Sequence, residues 1–72
     1  MQVFVFRSRR DTSVLGFTTR RGGGNLPAEF AIWEPVERLS LLPGIPVAGA
    51  AVGSETILAD IQRDGFCVTR SI

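Results

Sequence analysis

The alternation of apolar and polar positions is sharpest in the last twenty residues. Ile57, Leu58 and Ile61 follow the i, i+1, i+4 spacing of one helical stripe, while Asp60, Gln62 and Arg63 face away from it. Ser54 stands where a hydroxyl accepts from free first-turn N–H groups, and Glu55 where the helix dipole favours negative charge. Gly65 supplies the left-handed residue that ends a helix without a Cβ clash. The spacing therefore predicts a helix over 54–64 running into a strand at Phe66-Cys67-Val68-Thr69. A helix this short is marginal alone, so its stripe must lie on a sheet built from the rest of the chain.

Val3-Phe4-Val5-Phe6 is apolar at every position, which predicts a strand with both faces covered. Ser13 to Thr19 predicts a second strand, with Leu15 and Phe17 on one face and Val14 on the other. The short polar link Arg7 to Thr12 makes the two an antiparallel hairpin. Gly16 marks a bulge or a close backbone approach. Asn25 is placed to cap a short helix through about Trp33, with Leu26, Phe30 and Trp33 on one face and Pro35 ending it. Val36 to Leu42 predicts a further strand carrying Leu39 and Leu41, followed by a type II turn at Pro43-Gly44. Ile45-Pro46-Val47 reads as a brief edge strand or a loop, and residues 48–53 have no clear period.

The expectation is one small α/β (α+β) domain over residues 1–72, with order β-β-α-β-α-β and helices packed on a mixed or antiparallel sheet. The layout resembles the YcgL family of small bacterial proteins. The resemblance is carried by Phe6-Arg7-Ser8, Leu26-Pro27-Ala28-Glu29-Phe30, Trp33-Glu34-Pro35, Leu39 with Leu41, and Gly65-Phe66-Cys67-Val68. It departs from the family at Gly22 to Gly24, where members have an acidic stretch, and at Thr69-Arg70, where they have Gln-Pro. What the resemblance implies is a bacterial protein with a mixed α/β sandwich and no catalytic residue to carry over.

Composition narrows the chemistry. The chain has no histidine, tyrosine or lysine, which removes the commonest general base, imidazole ligands and Schiff-base chemistry. Seven carboxylates, eight arginines, one thiol and some hydroxyls remain. The carboxylates share no short motif that would pair them, so they read as solvated charges, and an enzyme stands last among the readings. No cofactor or metal is implied. No apolar run reaches the ~18 residues of a membrane span, the start lacks signal-peptide features, and a single cysteine forms no internal disulfide. The expected location is cytoplasmic. Cys67, between Phe66 and Val68, reads as a small buried apolar residue.

Net charge is +1 but unevenly placed. Residues 1–21 carry five arginines against Asp11, and residues 22–72 carry three arginines against six acids. Two surfaces follow as candidates. Arg20-Arg21-Gly22-Gly23-Gly24-Asn25 combines two cations with glycine amides ahead of an expected helix N-terminus, a phosphate-cradling arrangement. The competing and favoured reading is a surface loop that reverses the chain. Leu42, Ile45, Val47 and Val52 offer apolar surface that a 72-residue chain does not readily bury, the mark of an interface, while Trp33 reads first as closing the edge of the core, with a binding hot spot at that interface as the alternative. The function expected is a non-enzymatic interaction module that self-associates or takes a protein partner. The alternative is anion or RNA binding through the Arg/Gly loop. Nucleic acid is disfavoured by the near-zero net charge.

Overall fold

A strand that is apolar on both faces needs neighbours on both edges and cover above and below. The computed structural model, which describes residues 1–72, gives it all four. β1 (Gln2–Ser8) lies inside a four-stranded sheet of order β3-β1-β2-β4, with β2 (Val14–Thr18), β3 (Trp33–Ser40) and β4 (Phe66–Arg70). Every pairing is antiparallel. One helix, α1 (Ser54–Asp64), packs on β2 and β4. The fold is a small α+β arrangement.

The order of strands explains the layers. β2 leaves from beside β1, yet β3 pairs on the other edge of β1, so the connection 19–32 must cross a face of the sheet. β3 and β4 then occupy opposite edges, so residues 41–53 and α1 cross back. On the α1 face, register aligns Leu39, Val3 and, through Val5, Phe17 with Cys67. There Val3, Val5, Leu15, Phe17, Ile57, Ile61 and Cys67 form the main core with Leu41 and Ala50. Ile57 is fully buried, which stabilises the fold by about 2 kcal/mol on ordinary area bookkeeping. On the other face, Phe6, Gly16 and Val68 form a row beneath the connection 19–32, which lowers Leu26 onto Gly16.

The helical stripe predicted over 54–64 matches α1, with Gly65 left-handed at φ 87° and its N–H donating to the Ile61 carbonyl. Ser54 is not the cap: Gly53 takes that place, and the Ser54 hydroxyl instead donates to the Glu55 carboxylate at 3.2 Å. The Pro43-Gly44 turn also forms, with Gly44 at φ 80° and the Ile45 N–H donating to the Leu42 carbonyl.

The expected order β-β-α-β-α-β does not form. In place of a helix from Asn25 to Trp33 there is a single 3-10 turn, Ala28–Phe30, and the third strand begins at Trp33 rather than Val36. Trp33 pairs with Ser8 and Pro35 with Phe6, so pairing with β1 claims the backbone that a local helix would have used. Pro35 is tolerated because β3 is an edge strand, and a register shift leaves Val36 without a partner beside it. The three aromatic-face residues still group together. Leu26 is buried, and Phe30 meets Trp33 edge to face at 6.1 Å between ring centroids.

Candidate functional site

The loop Arg20–Asn25 is built to turn the chain and hold it down. Gly23 is buried at φ 69°, a left-handed conformation that glycine adopts freely, and an added Cβ would meet the Phe6 ring at 3.0 Å. Its N–H donates to the Arg20 carbonyl, and its carbonyl accepts from the Leu26 N–H. Asn25 caps no helix. Its Oδ1 accepts from the Thr18 hydroxyl at 2.8 Å, and its Nδ2 donates to the Gly65 carbonyl at 2.9 Å. The loop is thereby fastened to the end of α1. The helix N-terminus on which a phosphate cradle at this place depended is not formed, although Arg20 and Arg21 remain exposed.

Ion pairs join the basic and acidic parts of the chain. Arg9 meets Glu34 at 3.0 Å, and Arg70 meets Asp11 at 3.2 Å while donating to the Ser13 hydroxyl at 2.6 Å. Hydrogen bonds from Ser13, with help from Arg70, hold the Asp11 carboxyl below its ordinary value. Arg63 is matched to Asp60 and Asp64 on the helix surface. Arg7, Arg10, Arg20, Arg21 and Arg38 form no ion pair, Arg10 donating instead to the Glu29 main-chain carbonyl. The charge asymmetry of the sequence is therefore partly cancelled within the fold, and these five guanidinium groups carry what is left.

The five apolar interface candidates do not form one patch. Trp33 belongs to the face covered by 19–32, where its indole N–H donates to the Pro27 carbonyl at 3.0 Å and its ring edge approaches Gly16. It is half-buried and serves the fold. Val47 and Val52 pack against the core from the α1 face. Leu42 and Ile45 are 57% and 54% exposed. With Leu39, Leu41 and Val47 they border a groove of about 190 Å³ beside the C-terminal half of β3.

The groove continues along the α1 face of β3 toward Val36 and Glu37. It exists because α1 sits over β2 and β4, leaving the β1–β3 side to the loop after β3. Sequence periodicity singled out the apolar loop but not this gap, which depends on where the helix lies across the sheet.

Cys67 is 1% exposed in the core, and burial pushes its thiol up to about 12. No three His, Cys, Asp or Glu side chains gather as a metal site. No helix is long and apolar enough to cross a membrane. Comparison of the chain with protein-family models, curated proteins and solved structures finds no match.

Proposed function

We propose that this protein is a non-enzymatic interaction module that associates with a second copy of itself through the groove beside β3. The observation that carries the reading is the pair Leu42 and Ile45, each more than half exposed at the rim of a groove walled by buried Leu41 and by Leu39 and Val47, which pack half-buried against the core. Val36 adds a third exposed apolar side chain, on the edge strand β3 that leads into this loop. Large aliphatic side chains left in water beside an open hydrophobic wall favour a contact that removes them from it.

The two halves of β3 differ in what they offer. Pro35, the irregularity at Val36 and the charges of Glu34 and Glu37 blunt the strand against open-ended pairing. The end at Leu39 to Ile45 has no such device except the turn itself. A two-fold contact that sets one groove end on its copy closes after two subunits and presents no further edge.

Sedimentation equilibrium over a wide concentration range tests this reading. The mass should rise toward that of a dimer, and Leu42→Ser with Ile45→Ser should return it to the monomer without loss of the folded spectrum. A constant monomer mass at the highest attainable concentration sinks the proposal, as does an association that the double variant leaves unchanged.

A further inference from the structure

We propose that the depression over Phe4, between Arg21 and Arg38, binds a nucleoside phosphate, with the flat ring against Phe4 and the phosphate held by the two guanidinium groups. The site lies on the sheet face opposite α1 and does not rest on self-association. Register places Arg38 directly beside Phe4 on β3, and Thr18 on the other side of it on β2. The connection 19–32 covers the next row, where Phe6 meets Gly23, but leaves Phe4 only half-buried and brings Arg21 to its border. The resulting depression has a volume of about 370 Å³, at the small end of ligand clefts.

Two of the five arginines that meet no carboxylate border this depression. Arg9, Arg63 and Arg70 each meet a carboxylate, whereas Arg21 and Arg38 meet none. Two unpaired guanidinium groups from different elements, bordering one apolar floor, match a ligand that is anionic at one end and flat at the other. Phenyl rings accept bases of any identity by stacking, so base specificity is not expected. Glu37 pairs with Val5, so its side chain points to the α1 face and does not oppose an anion here.

The test is amide chemical-shift titration of labelled protein with a nucleoside monophosphate, with inorganic phosphate, and with a short single-stranded RNA. Shifts should centre on Phe4, Arg21 and Arg38. The monophosphate should bind about tenfold more tightly than inorganic phosphate if the ring contributes through Phe4. Arg21→Gln with Arg38→Gln should weaken binding about tenfold or more. Tighter binding of the RNA at the same residues identifies the polymer as the source of the nucleotide, and binding of the monophosphate alone identifies the free form. No shift at about 10 mM ligand overturns the proposal, since that lies beyond the weakest useful affinity. Shifts confined to Gly22 and Gly24, or binding unaltered in the double arginine variant, overturn it as well.

Discussion

The side-chain amide of Asn25 donates to the main-chain carbonyl of Gly65 at 2.9 Å, fastening the connection between β2 and β3 to the residue that terminates α1. The same side chain accepts from the fully buried hydroxyl of Thr18, whose oxygen in turn accepts from the Arg20 N–H. One polar side chain thus joins the end of β2, the glycine loop and the turn into β4. Its removal tests how far the loop depends on this latch.

Asn25→Ala should destabilise the protein by about 1–2 kcal/mol, because two polar groups lose a partner in a part-buried setting. Thr18 lies 3.4 Å from the Gly65 carbonyl and can redirect its hydroxyl there, which holds the cost below the upper limit. Asn25→Asp should cost at least as much, since a carboxylate has no proton to give the Gly65 carbonyl. Urea denaturation measures both. A change under about 0.3 kcal/mol would remove the latch from the account.

Gly16 is required by packing and not by backbone conformation. A Cβ there would lie 3.0 Å from both the Leu26 and Trp33 side chains. Gly16→Ala should cost about 1 kcal/mol as those ends shift, and Gly16→Val about 2–3 kcal/mol. Trp33 fluorescence should move to longer wavelength in the valine variant as its ring is lifted from the sheet. Unchanged stability and emission in that variant would mean that the connection 19–32 does not press on the second face.

Cys67 should be silent toward thiol reagents in the folded protein at pH 8, because its Sγ is buried and its thiolate is disfavoured. Labelling should appear only as urea opens the fold and should track the unfolding transition. Cys67→Ala should cost about 1–2 kcal/mol from the lost contacts with the core. Rapid stoichiometric labelling without denaturant would show that β4 opens locally.

Stability should fall at both ends of the pH range for identifiable reasons. Asp11, held down by Ser13 and Arg70, and Glu55, held down chiefly by its own N–H and by Ser54 and Gly44, titrate lower in the folded state than their ordinary 3.8 and 4.5. The unfolded chain therefore binds protons first, and their contribution is full above those values and lost as pH drops through the folded ones. Cys67 is shifted the other way, from 9.0 to about 12, so its contribution is complete below pH 9 and disappears as pH climbs toward 12. Urea midpoints at a series of pH values should reproduce both limbs. Asp11→Asn should soften the acid limb and Cys67→Ala the alkaline one; unaltered limbs in these variants would assign the losses to other groups.

Residues 54–64 carry their own instructions: an apolar stripe at helical spacing, an acid at the start and a glycine at the end. Those are local signals, and α1 has the bounds they imply. The first hairpin was legible for a similar reason, since a short polar link between two apolar runs leaves few alternatives to antiparallel pairing. The turn at Pro43-Gly44 rests on two residues whose dihedral preferences need no help from elsewhere.

What tertiary structure alone decided is everything that depends on a partner distant in the chain. Asn25 to Trp33 has the makings of a helix start, yet Trp33 and Pro35 are drawn into pairing with Ser8 and Phe6, and only one 3-10 turn survives. Arg21 and Arg38 come to one depression, and Leu42 and Ile45 to one groove, only through the order β3-β1-β2-β4 and the position of α1 across it. The physical cause is that hydrophobic period records which side of an element is buried, but not which strand lies next to which. That choice depends on pairing and coverage summed over the whole sheet, and both candidate surfaces are made by it.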